Sequence, residues 1–284
     1  LVTGNNSRYI SQIVENDKEQ NSINQKFLVE LKKQNIDLSL NELESNLDKF
    51  YHLAEKIKIK MKKPEIFGKF FIYKYKFKGD VTSFDKLTQN EKINGSIAGS
   101  WVNYYKGNSD GLTWYIPYSQ CILWSKDSVK ELREGTITNS RWQGNKYFNT
   151  TGFAWVDYFT SRIKAFFVDE GIYSKNIVKL HSVHSNVPDK FIVACLNSKF
   201  ISYYVKNFIT STHTLQINDG RLIPIKIPSE KILNEIVNLV NKILSQKREN
   251  PNTNTTELEK QIDQLVYKLY GLTDQEIKIV EGAV

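Results

Sequence analysis

Between Ser229 and Leu269 apolar residues recur at helical spacing on two consecutive arms, and no other stretch constrains the fold as tightly. On the first arm Ile232, Leu233, Ile236, Val237, Val240, Ile243 and Leu244 form one stripe behind Ser229, a residue that favours helix starts. The Asn-Pro-Asn-Thr-Asn-Thr-Thr run around Pro251 breaks it. On the second arm Leu258, Ile262, Leu265, Val266 and Leu269 share a face, Thr256 and Glu259 have the spacing of a capping box, and Gly271 closes the helix. Thr273 and Glu276 repeat the box for a last short helix. A helix with one apolar stripe must bury it, so residues 229–284 are expected to form a helical hairpin packed on a further layer.

Upstream the period changes. Residues 66–180 read as predominantly β: Phe67–Phe77 alternates aromatic residues and lysines, as a strand with one buried face does. Further strands are expected at Trp101–Tyr105, Trp114–Ile116, Cys121–Trp124, Phe153–Val156 and Ala165–Val168, with turn residues between them. Residues 17–63 read as an amphipathic helical insertion, since Leu40, Leu43, Leu47, Phe50, Tyr51, Ala54 and Ile57 fall near a 3.6-residue period. After His181 a helix is expected from Pro188 and Asp189, carrying Phe191, Ile192, Cys195, Leu196 and Tyr203. The expected fold is α+β, a mixed twisted sheet body with flanking helices and a C-terminal helical hairpin. Its divisions are a lead-in with the insertion at 1–95, a body at 96–228 and the hairpin at 229–284.

Charge separates the same regions. Residues 1–228 carry 32 Lys/Arg against 22 Asp/Glu, whereas residues 229–284 carry 7 against 9. A basic body with an acidic tail favours a polyanionic partner for the body. The 2 cysteines, Cys121 and Cys195, exclude a disulfide framework and a cysteine-based zinc site and point to the cytoplasm. No apolar run is long enough to span a bilayer, so no membrane partner is expected. The chain starts at Leu1 without Met, which reads as a fragment cut from a longer protein.

Catalytic signatures are thin. There is no Pro-Pro pair and no Gly-x-Gly turn, so neither the adenine-holding loop nor the S-adenosylmethionine turn of a methyltransferase is present. Glu30-x-Lys32 and Glu276-x-Lys278 have the carboxylate–lysine spacing of metal-dependent nucleases, but such pairs arise on any charged helix. Gly171-Ile172-Tyr173 reads as a turn into a strand. His181-x-x-His184 places two imidazoles on one face if helical, with no further ligand to complete a metal site. No catalytic residue and no metal ligand is expected in this chain.

Three stretches carry a resemblance. The first is Trp101-Val-Asn-Tyr-Tyr-Lys106-Gly107 followed by Trp114-Tyr115. The second is Arg141 leading to Tyr147-Phe148, then Gly152-Phe-Ala-Trp155 and Thr160-Ser161-Arg162. The third is Leu196-Asn-Ser-Lys199, then Thr212-His-Thr-Leu-Gln-Ile-Asn-Asp-Gly220 and Leu222-Ile-Pro-Ile225. In this order they resemble the TaqI-like C-terminal specificity domain of adenine-specific DNA methyltransferases and single-chain restriction–modification enzymes. The resemblance covers the chain apart from residues 17–92; Asn108 stands where that family often has a second Gly.

It implies recognition of double-stranded DNA beside a methyltransferase domain of the same polypeptide, with no cofactor in this chain and S-adenosylmethionine in the missing catalytic domain. The DNA-facing residues it suggests are Lys106, Arg141, Thr160, Ser161, Arg162, Thr212, Thr214, Gln216 and Arg221. Arg and Lys suit phosphates or guanine edges, Gln suits adenine, and hydroxyls suit the phosphodiester chain. Each has a plain structural reading too: Arg141 and Arg162 as sheet-edge supports, Gln216 as a backbone partner, Lys106-Gly107 as a turn. Two other classes stay open. One is a protein-interaction module using the C-terminal helices; the other is a nuclease with a degenerate metal site.

Overall fold

A computed structural model describes residues 9–15, 29, 32–33, 75–108, 111–135, 142, 144–174 and 176–282. The strands in chain order are β1 (Ile10–Val14), β2 (Tyr75–Phe77), β3 (Val81–Thr82), β4 (Ser100–Tyr105), β5 (Trp114–Tyr115), β6 (Gln120–Trp124), β7 (Gly152–Val156), β8 (Ala165–Val168), β9 (Ile172–Tyr173) and β10 (Ile177–Leu180). The helices are α1 (Gln89–Asn94), α2 (Lys126–Glu134), α3 (Asp189–Asn197), α4 (Lys199–Tyr204), α5 (Ile217–Gly220), α6 (Glu230–Glu249), α7 (Thr256–Tyr270) and α8 (Asp274–Val280). The fold is α+β, with mixed sheets and helices gathered at the C-terminus. The expected helical insertion, apart from residues 29 and 32–33, and all but the end of the Phe67–Phe77 strand lie outside the described residues.

Two compact units divide the chain, Leu1–Tyr105 with Tyr118–Lys146, and Lys106–Pro117 with Tyr147–Val284. They cut across the three-way division expected from composition. Charge and period change near residue 228, but strand pairing joins segments far apart in sequence.

The first unit has a sheet in the order β2-β1-β6-β4-β3. The pairs β1–β2 and β3–β4 are parallel, whereas β6 is antiparallel to both β1 and β4. Val102, Ile122 and Trp124 are buried on it together with Phe84 and Leu132. The Trp124 indole packs edge-on to Phe84, with ring centroids 5.7 Å apart, and donates to the Glu91 carbonyl at 3.0 Å. Two helices interrupt a stretch that reads as β from its period. Both announce themselves by caps: Glu91 N donates to Thr88 Oγ1 at 3.3 Å while Thr88 N donates to Glu91 Oε2 at 2.9 Å. Ser125 and Ser128 make the same reciprocal pair for α2, whose Val129 and Leu132 supply the buried face. Gly95 ends α1 at φ 81°, where a Cβ would run into the Ser125 carbonyl.

The second unit has a sheet in the order β10-β7-β8-β5, antiparallel except for the β5–β8 pair. Phe153, Trp155, Ala165 and Phe166 are buried along β7 and β8, and α3 covers them with Phe191, Val193, Ala194 and Cys195. Helix α6 packs on α3 and β5, and α7 packs on α6 and α4. The two stripes are therefore occupied inside the unit: Ile236, Val240, Ile243, Ile262 and Val266 are buried in one core cluster with the sheet residues.

Two N-termini differ from the sequence expectation. Ser229 is the N-cap of α6 without a side-chain cap bond, and Leu233 N simply donates to its carbonyl at 2.9 Å. The box expected at Thr256–Glu259 is absent because the helix begins one residue earlier than that pairing needs. Thr255 is the N-cap, and Asn254 Oδ1 accepts from Thr256 N at 2.9 Å. Glu259 is drawn elsewhere: its Oε1 accepts from Thr255 Oγ1 at 2.8 Å and from Trp114 Nε1 at 3.0 Å. Trp114 is buried with φ 72°, outside the region bulky residues prefer. The packed ring and the indole–carboxylate bond hold it there. Thr273 and Glu276 do form the expected box.

Candidate nucleic-acid interface

Two segments after the sheet strands are zipped together. The turn following β7 and the segment leading into α5 meet at a Tyr158–Thr214 bridge; Phe159 N donates to His213 O at 2.9 Å and Leu215 N to Asp157 O at 2.7 Å. The anchor beneath is apolar. Leu215 and Phe159 are buried, and Trp155 Nε1 donates to Leu215 O at 2.8 Å. A Cβ on Gly220 would come to 2.9 Å from the Trp155 ring, so the last residue of α5 must be small for the helix to lie on the indole. Asp219 Oδ2 accepts from Gln216 N at 2.9 Å and fixes the start of that helix.

This pairing brings together most of the residues expected at a DNA face. Thr160 and Ser161 are exposed on one segment, Thr212, Thr214 and Gln216 on the other, and Arg221 just past α5. Thr210, Thr212 and Thr214 form a hydroxyl ladder with Oγ1–Oγ1 distances of 2.9 Å at both steps. Arg221 reaches the Asn218 Oδ1 at 3.1 Å and stays exposed. Lys106 is exposed but anchored elsewhere, its carbonyl accepting from the Ser174 hydroxyl. Arg141 lies outside the described residues.

Arg162 takes the structural role. It is half-buried, and its guanidinium donates to the Asn197 carbonyl. Asn197 is itself a clamp: its Oδ1 accepts from Ala165 N at 2.7 Å and its Nδ2 donates to Ala165 O at 3.0 Å. Ser202 Oγ accepts from Ile163 N at 3.1 Å. Below them the buried Asp263 accepts from Lys199 N at 2.8 Å. Burial raises its carboxyl above the ordinary range, partly offset by the Lys199 amide bond and the Arg162 and Lys199 charges. The Leu-Asn-Ser-Lys element is thus the joint that holds the turn after β7 against α3, α4 and α7.

Sequence reasoning missed Tyr158, Lys206, Phe208, His213 and Leu222, all exposed on or beside these segments. One signal was available: residues 190–218 contain no Asp or Glu but include Lys190, Lys199, Lys206 and His213.

Other chemistry finds little footing. Burial pushes the thiols of Cys121 and Cys195 up to about 12, far from a usable thiolate. His181 and His184 lie in an exposed loop rather than on a helix, because the segment runs from the end of β10 to Pro188. Among the described residues no group of three or more His, Cys, Asp or Glu could hold a metal ion. The Glu276 carboxylate caps its own helix by accepting from Thr273, and Glu30 lies outside the described residues. Burial lowers the Lys179 ammonium to about 8 against the pull of Glu170 and Asp169. It donates to the carbonyls of Tyr147 and Thr150 and to the Tyr173 hydroxyl, as a strut does. No helix among the described residues is long and apolar enough to cross a membrane.

No protein-family model matches the chain, and no curated protein matches it.

Proposed function

We propose that the chain recognises double-stranded DNA as the specificity domain of an adenine-N6 methyltransferase or restriction–modification enzyme of the TaqI-like kind. One observation carries the reading: two segments are locked by backbone bonds onto a tryptophan and expose Thr160, Ser161, Thr212, Thr214, Gln216 and Arg221 together. Hydroxyls and backbone amides position phosphates, whereas Gln and Arg read base edges. A rigid scaffold beneath the loops suits such readout, because a contact 1 Å out of place forfeits its specificity.

In this reading Arg162 and Asn197 are positioning residues, and Lys106 stands apart from the zipped segments. Cutting and methylation belong to other parts of the parent polypeptide. In this reading S-adenosylmethionine is held elsewhere, in keeping with a chain that offers no Gly-x-Gly turn. The methyl donor and the flipped adenine would sit in the neighbouring methyltransferase domain, and the working compartment would be the cytoplasm. The competing proposal is a protein-docking module on the C-terminal helices. With both stripes buried inside the unit, it must rely on their outer, charged faces.

The test is selection from random duplex DNA at low and moderate salt, with the bound fraction sequenced. Salt-sensitive binding that enriches a short motif is the expected result. Binding without enrichment would reduce the chain to a basic clamp. Absence of binding at low salt would move the function to the docking module.

A further inference from the structure

Phe208 is 68% exposed just past the end of α4, between the buried Val205 and the half-buried Ile209. The backbone explains how. Val205–Ile209 is a π-helical turn, closed by Thr210 N donating to Val205 O at 2.9 Å. In an α-helix Phe208, three residues after the buried Val205, would share its face. The wider turn keeps Ile209 against the core and carries Phe208 off that face. The ring is not loose. Tyr204 backs it with ring centroids 5.2 Å apart and an interplanar angle of 36°, and Tyr203 meets its edge at 6.4 Å. Asn207 Nδ2 donates to Tyr203 O at 2.8 Å and fixes the turn. Lys206 and Asn207 are exposed beside it, within the acid-free stretch 190–218.

We propose that Phe208, backed by Tyr204, is a stacking platform for an unstacked nucleobase, with Lys206 taking the adjoining phosphate. The inference rests on the nucleic-acid reading of this surface but goes beyond it, because duplex readout through Gln216 and Arg221 needs no aromatic platform. A flat π face with a firm backing and a neighbouring ammonium is the pairing that holds single-stranded or extruded bases. The absence of acidic side chains along the segment suits the phosphate.

The experiment uses the whole chain, with Phe208→Ala and Phe208→Trp variants. The probes are a single strand and a duplex, each carrying one 2-aminopurine, which in the duplex faces an abasic position. Wild type and Phe208→Trp should quench the probe on binding, while Phe208→Ala should lose the quench and about tenfold in affinity for the single strand. Because the side chain is exposed, circular dichroism of Phe208→Ala should be unchanged. Equal quenching and affinity in Phe208→Ala, with salt-sensitive duplex binding intact, would overturn the platform and leave the DNA reading standing. Phe208-dependent single-strand stacking without any enriched duplex motif would uphold the platform and remove the specificity reading. Failure to bind either probe would remove both.

Discussion

The α6–α7 hairpin and the zipped segments around Tyr158 and Thr214 belong to the same compact unit, yet they use their residues in opposite ways. The hairpin is charge-balanced, buries its apolar stripes in the core and shows no strained backbone. The zipped segments lie in or beside an acid-free stretch and rest on one indole. They leave large apolar side chains, Tyr158, Phe208 and Leu222, in water. Exposed aromatic and polar groups held by so much backbone bonding give no stability in return. The contrast is one of use: the hairpin buries its apolar side chains and so supplies free energy of folding, whereas the zipped segments spend backbone bonding on exposed groups.

Substitutions separate the two most sharply when placed deepest. Ile243→Ala, fully buried at the α6 contact, should destabilise the unit by about 2–5 kcal/mol, through lost transfer free energy and the cavity left behind. Urea denaturation measures it. Asn197→Ala comes next. It orphans the Ala165 N–H and C=O inside the core and removes a fixed neighbour of Arg162, for a loss of about 3 kcal/mol. If Asn197→Ala costs as little as a surface change, the joint between the hairpin and the zipped segments is not structural, and the comparison fails at its seam.

How much of this was legible in the sequence depends on the range of the interactions involved. The hairpin was legible because a 3.6-residue stripe is a local signal, and so were the strands at 101–105, 114–115, 121–124, 153–156 and 165–168. Helices α1 and α2 were missed although Thr88-x-x-Glu91 spells a capping box, because the surrounding β pattern outweighed six or nine residues. The Thr256–Glu259 box failed for a long-range reason: Trp114, 145 positions away, holds the Glu259 carboxylate. The candidate site was legible as a set of residue types but not as a surface. Nothing local says that Phe159 pairs with His213, or that Arg162 turns inward to Asn197 while Thr160 and Ser161 stay outside. Phe208 was hidden for a subtler reason, since one π turn changes which face a residue occupies.

On the exposed side the expectation reverses. Gln216→Ala and Arg221→Ala should change folding stability by no more than about 0.5 kcal/mol. Loss of a bidentate base contact at either position should relax selectivity by about 1–3 kcal/mol. Thr212→Val, if the hydroxyl meets a phosphate, should instead weaken binding uniformly across sequences. Competition between the enriched duplex and its single-base variants at fixed salt checks all three. A stability loss in Gln216→Ala comparable to that of Asn197→Ala would make Gln216 part of the scaffold.

The smallest effect is the most diagnostic of the seam, because two carboxylates of the helical end should respond to acid in opposite directions. Glu276 is held below its ordinary range by the Thr273 backbone N–H and hydroxyl. Its contribution is present above the unfolded-state value and disappears as pH falls through the folded one. Asp263 is raised by burial, so the stability it lends is fully present below its unfolded value and is lost as pH rises through the folded one. Acidification from neutrality should therefore stabilise the wild type relative to Asp263→Asn, which keeps an acceptor for Lys199 N, and destabilise it relative to Glu276→Gln. Paired urea titrations across that range give both slopes. If the Asp263 slope takes the sign of Glu276, attraction to Arg162 and Lys199 outweighs burial. The seam would then be an ion-pair latch, and Arg162 would be charge-locked to the hairpin rather than merely packed beside it.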